Sequence, residues 1–169
     1  TRLAEDEYLE VIRRKTAVLF EAACRVSAVL AAAPPQNESA LAQFGFNLGM
    51  AFQIADDLFD YTLETPQLGK QVGADLREGK LTLPVIQALK QVQGDDRAWM
   101  LDVIRNPQFS TADFRRLVDL LESCGAVRYA EQIAENFIAA AKKELAVFPS
   151  SEALETLVDI ADYALHRRV

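Results

Sequence analysis

The sequence holds 169 residues, half of them apolar and a quarter charged, with 18 Lys and Arg against 25 Asp and Glu and a net charge of −7. That length allows one domain that buries on the order of 70% of its unfolded surface, so no disulfide or metal staple is needed to fold it. The composition is globular, the acidic balance argues against a nucleic-acid partner, and the short, interrupted apolar runs predict no transmembrane segment.

No signal-peptide pattern opens the chain. Cys24 and Cys124 stand in no CxxC spacing and are expected to stay reduced in a cytoplasmic protein. The single histidine, His166, lies beside Arg167 and Arg168. His-rich metal sites are thereby excluded, and a Ser-His triad has only this poorly placed candidate.

The first element spans residues 5–33. Tyr8, Val11, Ile12, Val18, Leu19, Ala22, Val26, Val29 and Leu30 recur at three- and four-residue steps, the helical period. Pro34-Pro35 ends it, because proline lacks an N–H and disfavours helix in the residue before it. Lys15-Thr16 sits mid-helix. Read alone, it is a lysine snorkelling out of an apolar stretch beside a helical threonine.

Asn37 or Ser39 is a candidate cap for a second helix running to residue 61. Leu41, Phe44, Leu48, Phe52, Ala55 and Phe59 form its apolar side. Gly45 and Gly49 lie four apart inside it, where each costs about 0.5–1 kcal/mol relative to alanine. Close approach of another helix or of a bulky ligand would account for them, and the residues alone leave that choice open.

Residues 62–80 read as a loop with Gly69, Gly73, Gly79 and Pro66. Such length in a compact domain points to function or disorder. Thr82 is a candidate cap for a third helix, with Pro84 in its first turn, continuing to residue 93 with Gly94 as its stop. Asp95 or Asp96 begins a short helix that Asn106-Pro107 ends. Ser110 and Asp113 suggest a capping box, with Asp where Glu is usual, opening a helix that stops near Gly125. A longer helix covers residues 126–147, with Ile133, Phe137, Ile138, Ala141 and Leu145 inward. Pro149 breaks it, and Ser150 or Ser151 caps the last helix. No strand pattern appears, so the chain reads as one all-α domain over residues 1–169, built from about seven helices.

The chemistry concentrates in residues 49–84. Asp56 and Asp60 are i, i+4, so their Cβ atoms lie about 5–6 Å apart on one helix face. Gln53 joins that face and Asp57 is adjacent. Two carboxylates about 5 Å apart repel by roughly 3 kcal/mol at an effective dielectric of 20. A hard divalent ion would offset this, and Mg²⁺ typically takes one or two carboxylates plus waters and phosphate oxygens. The following loop supplies Lys70 and Lys80 as point charges for phosphate, and glycines that let the backbone turn and present N–H groups. Arg77 either assists or pairs with Glu78 and Asp75. An acidic helix end in solvent is the plain alternative for Asp56, Asp57 and Asp60 alone. The joint presence of the acids, the Gly-Lys loop and Thr82-Leu83-Pro84 favours a metal-diphosphate site.

The stretches FQIADDLFD and GKQVGADLREGKLTLP resemble the second aspartate-rich region of the trans-isoprenyl diphosphate synthases, or polyprenyl synthetases. YLEVIRRKTAVLF resembles the Lys-Thr helix of that family, and LVDIADYALHRR its C-terminal helix. The resemblance runs to long-chain bacterial members of the octaprenyl, nonaprenyl and decaprenyl type. The resemblance implies the C-terminal portion of an all-α isoprenoid-synthase-type helical bundle, in a homodimer. It implies Mg²⁺ as cofactor and an allylic diphosphate and isopentenyl diphosphate as substrates. It implies that Asp56 coordinates Mg²⁺, with Asp57 and Asp60 ligating it or holding its waters. Lys15, Lys70 and Lys80 would bind the allylic diphosphate, and Thr16 and Gln53 would present oxygen dipoles to the allylic cation.

The family carries a first aspartate-rich motif and basic residues for isopentenyl diphosphate upstream, and nothing like them occurs here. The chain is therefore expected to be a C-terminal half, inactive alone. Two other readings stand beside this one: a natural non-catalytic partner subunit of a synthase, and a helical interaction module whose acidic helix does no chemistry.

Overall fold

The computed structural model describes residues 4–62 and 73–166. Lys70, Gly69, Arg167 and Arg168 lie outside the described residues. Every regular element described is helical and no strand occurs among the described residues, as the all-α reading expects. In order they are α1 (Glu5–Ile12), a π turn (Arg13–Ala17), α2 (Val18–Leu30), α3 (Pro35–Thr62), α4 (Ala74–Arg77), α5 (Leu83–Gln91), α6 (Gly94–Arg105), α7 (Thr111–Ser123), α8 (Ala126–Glu144), a 3₁₀ turn (Leu145–Val147) and α9 (Glu152–His166).

The chain falls into two compact units, one of Thr1–Tyr8 and Asp56–Glu131, the other of Leu9–Ala55 and Gln132–Val169. In the second unit Phe44, Leu48 and Ala51 of α3 form a core with Ile138 and Ala141 of α8, Leu145, and Ala161 and Ala164 of α9. Phe20 and Cys24 of α2 pack against that cluster. The two helical glycines are what let α2 and α3 meet so closely. A Cβ on Gly45 would stand 2.4 Å from the Phe20 carbonyl oxygen, and one on Gly49 would stand 2.7 Å from Ala17 Cα. The sequence left open whether a helix or a ligand required these glycines, and the neighbour is a helix.

In the first unit the rings of Tyr61, Phe114 and Phe109 run in series, with successive centroids 6.0 Å apart. Arg77 lies with its guanidinium carbon 3.9 Å from the centre of the Phe109 ring. It donates to the carbonyls of Pro107 and Phe109, each at 3.0 Å. Arg77 thus fastens α4 to the turn before α7. Glu5 at the start of the chain accepts from Lys90 Nζ and from the Tyr129 hydroxyl, both at 2.6 Å, and so ties α1 to α5 and α8.

Several helix ends follow the residues that signal them. Ser110 and Asp113 form the expected reciprocal capping box, Ser151 Oγ accepts from the Leu154 N–H at 3.2 Å, and Gly125 takes a left-handed φ of 73° after α7. Others differ. Helix α3 starts at Pro35, so neither Asn37 nor Ser39 is its cap; proline suits a first turn, whose N–H groups have no helical partner. Thr82 precedes α5 without capping it through its side chain, because its hydroxyl donates to the Tyr61 hydroxyl at 2.8 Å instead. Gly94 opens α6 rather than closing α5. The apolar stripe read along the first helix is only partly core. Tyr8 and Ile12 are buried, whereas Val11, Val18, Leu19, Val26, Val29 and Leu30 are exposed, Leu30 by 82%.

Candidate active site

The acidic end of α3 is helical because Phe52, Ile54, Ala55 and Leu58 supply an apolar side on which it packs, Ile54 being fully buried. That burial sorts the acids. Asp56 is exposed. Asp57 is buried at 8% exposure, and Gln53 is buried at 4%. A buried carboxylate survives only with donors around it. The Tyr8 hydroxyl supplies one, donating to Asp57 Oδ2 at 2.7 Å. Burial first, and the Asp57 charge second, push the Tyr8 phenol far above its ordinary value, so it stays a neutral donor.

Asp60 has a different partner. Its two carboxylate oxygens accept the backbone N–H groups of Ala74 and Asp75, each at 3.2 Å. These are orphan donors at the start of α4, and a carboxylate there also meets the positive end of the peptide dipoles. The preceding residue, Gly73, has φ +72° and lies so close to the Phe114 ring that a Cβ would stand 2.5 Å from it. No residue with a side chain fits that corner without strain.

The Lys-Thr pair carries a backbone irregularity. Residues Arg13–Ala17 form a π turn within the helix that continues from α1 to α2. Such single-turn insertions are frequent at functional sites. Thr16 leaves this turn toward α3, and its hydroxyl donates to Gln53 Oε1 at 2.6 Å. The residue beside it, Lys15, is exposed. The structure therefore joins Thr16 to Gln53, two of the residues singled out in the sequence. Lys80 pairs with Asp75 at 2.9 Å and with Glu78 at 2.7 Å. Hydrogen bonds from Lys80 to Glu78 and Asp75 hold its ammonium above the ordinary lysine value. A phosphate reaching Lys80 would have to displace these two carboxylates. Lys70 lies outside the described residues.

Two features were not visible in the sequence. Tyr8 looked like one more position in an apolar stripe; the signal was its hydroxyl, which must find a partner when the ring is buried. Asp60 looked equivalent to Asp56, and only the return of the chain at Gly73 shows it holding the start of α4. Among the described residues no three His, Cys, Asp or Glu side chains close into a metal cage.

The polyprenyl synthetase family profile matches residues 1–121. The chain belongs to the polyprenyl synthetase family. It is 36% identical to the octaprenyl diphosphate synthase of Escherichia coli K12 over 98% of this chain and 51% of that protein. It superimposes on the crystal structure of a polyprenyl synthase from Caulobacter crescentus CB15, complexed with calcium and isoprenyl diphosphate, with TM-score 0.91 and 40% identity over 99% of this chain and 51% of that one. It also superimposes on a decaprenyl diphosphate synthase from Rhodobacter capsulatus with TM-score 0.88 and 38% identity, over 97% of this chain and 50% of that one. The chain spans about half the length of the curated relatives it matches. Every site residue named from the sequence, from Lys15 to Lys80, falls within the stretch that the polyprenyl synthetase profile covers.

Proposed function

We propose that this chain carries the second aspartate-rich motif and the allylic diphosphate clamp of a prenyltransferase. The reaction is the Mg²⁺-dependent head-to-tail condensation of an allylic diphosphate with isopentenyl diphosphate to a polyprenyl diphosphate. The observation that carries this reading is that Lys15, Thr16, Gln53, the three aspartates, Lys70 and Lys80 all fall inside the polyprenyl synthetase match.

The donor set suits Mg²⁺. One exposed carboxylate, Asp56, stands beside two whose oxygens already serve Tyr8 and the α4 amides. Mg²⁺ asks for few protein oxygens and keeps waters and phosphate oxygens for the rest, so a complete protein cage is not needed. In this reading Asp56 ligates directly and Asp57 and Asp60 hold the surrounding waters and geometry. When bound, Mg²⁺ supplies positive charge to the departing diphosphate.

In this reading Lys15, Lys70 and Lys80 would take up the rest of that charge as ammonium groups, Lys80 exchanging its present carboxylate partners for phosphate oxygens. The Thr16 hydroxyl donates its hydrogen bond to Gln53 Oε1, so the lone pairs of Thr16 Oγ1 remain for an electron-poor allylic carbon. The C–O bond of the allylic diphosphate breaks, the isopentenyl double bond attacks the allylic carbon, and a proton then leaves the new chain.

The same reading makes the chain one half of a larger synthase, which as a whole is a cytoplasmic homodimer. The half-length coverage of the relatives supports this. So does the exposed row Val18, Leu19, Val26, Val29 and Leu30 on α2, since apolar surface on that scale marks an interaction face. A non-catalytic partner subunit has the same half-length coverage in its favour. No helix among the described residues is long and apolar enough to cross a membrane.

The test is a turnover assay with Mg²⁺, geranyl diphosphate and isopentenyl diphosphate. The 169-residue chain alone should give no product. A chain extended with the complementary half of a family member should give polyprenyl diphosphate, and that product should vanish with Asp56→Ala. Product from the chain alone, or an extended enzyme indifferent to Asp56, contradicts the reading.

A further inference from the structure

We propose that Tyr8 is a positioning residue of the acidic motif, acting through Asp57. The inference rests on the metal-diphosphate reading above. It starts from an asymmetry: Asp56 is exposed while its neighbour Asp57 is 8% exposed and receives the Tyr8 hydroxyl at 2.7 Å. Tyr8 is itself 4% exposed, so neither partner has room to turn away. The two residues are 49 positions apart in sequence, so the contact is made by the fold rather than by helix spacing.

The chemistry of the donor matters. A lysine or arginine at this place would hold the carboxylate and also cancel its charge. A phenol holds it and contributes no charge of its own. The Asp57 carboxylate is thus fixed in one rotamer while Tyr8 leaves its negative charge available to a cation bound at Asp56. Adjacent helix residues share one backbone, so fixing the side chain at 57 also restrains the last turns of α3 from which Asp56 projects. Removing the hydroxyl should loosen the motif without removing any ligand.

The experiment is a calorimetric Mg²⁺ titration of the full chain at fixed inorganic pyrophosphate. Four proteins are compared: wild type, Tyr8→Phe, Asp57→Asn and the double variant. Leu117→Ala, which removes a buried side chain of α7 far in sequence from the motif, serves as the control for general loss of stability. Tyr8→Phe should weaken the apparent Mg²⁺ affinity about tenfold. The double variant should be no weaker than Asp57→Asn alone, since the hydroxyl then has no carboxylate to position. Leu117→Ala should lower the melting temperature and leave the Mg²⁺ affinity within twofold. Wild-type affinity in Tyr8→Phe, additive losses in the double variant, or an equal loss in Leu117→Ala would each overturn the role of Tyr8 alone. No Mg²⁺-dependent pyrophosphate binding by the wild-type chain would overturn the underlying reading and this inference with it.

Discussion

Ala17 lies against Gly49 with no room for a methyl between them: a Cβ on Gly49 would come 2.7 Å from Ala17 Cα and 3.1 Å from Phe20 Cβ. Ala17 closes the π turn that carries Lys15 and Thr16, so the glycine sets how near that turn sits to α3. Gly49→Ala gains up to about 1 kcal/mol of helix propensity. The overpacking it forces costs about 1–3 kcal/mol. The clash is with backbone, which cannot swing aside, so the second term wins. Urea denaturation should show a net loss of about 1–2 kcal/mol; a more stable variant would mean that the helices are not in this contact.

Thr16 offers a second test on the same turn. Its hydroxyl reaches Gln53 Oε1 at 2.6 Å, and Gln53 is 4% exposed. Thr16→Val keeps the shape and deletes the donor, leaving a buried amide oxygen short of one partner. That should cost about 1–3 kcal/mol in equilibrium unfolding. Thr16→Ser keeps the hydroxyl and should recover most of it. A loss in Thr16→Ser with none in Thr16→Val would assign the effect to the methyl group and contradict the role of the hydroxyl.

Glu5 gives a pH dependence whose sign is fixed by its surroundings. Partial burial raises its pKa, but the hydrogen bonds from Lys90 and Tyr129 and the Lys90 charge outweigh this and hold it below the ordinary 4.5. A depressed carboxylate pKa means that the ionised form is favoured by folding, so the stabilisation is present above about pH 4.5 and lost as pH falls through the folded value. Lys90 is half exposed, which keeps the effect small. Glu5→Gln should cost up to about 1 kcal/mol at pH 7, and the gap to the parent should close as the pH falls through the lowered Glu5 value. A gap that widens on acidification would contradict the assignment.

Much of this fold can be read from local spacing. The three- and four-residue apolar steps locate the long helices, and Ser110 with Asp113 opens α7, whereas the first helix stops at Leu30, ahead of Pro34-Pro35, and Pro35 opens α3. These signals are legible because each depends on residues within one or two turns. The rest depends on the folded chain. A π turn of five residues, Arg13–Ala17, leaves no periodicity of its own. Thr82 has the composition of a cap, yet its hydroxyl has a better partner in Tyr61, which only tertiary packing brings near. Asp56, Asp57 and Asp60 look alike in sequence. They differ because Tyr8 and the Ala74 and Asp75 amides arrive from elsewhere in the chain. The periodicity of α2 locates an apolar face but says nothing of whether the face is covered, and here it is exposed.

The central claim, proposed above, is that Asp56, Asp57 and Asp60 act with Lys15, Lys70 and Lys80 to take a metal-bound diphosphate. Isothermal titration of the chain with inorganic pyrophosphate, with and without Mg²⁺, addresses it most directly. The account expects binding only when Mg²⁺ is present, weakened at least tenfold by Asp56→Ala and by Lys15→Ala. Binding that ignores Mg²⁺, or that survives both substitutions unchanged, would contradict it.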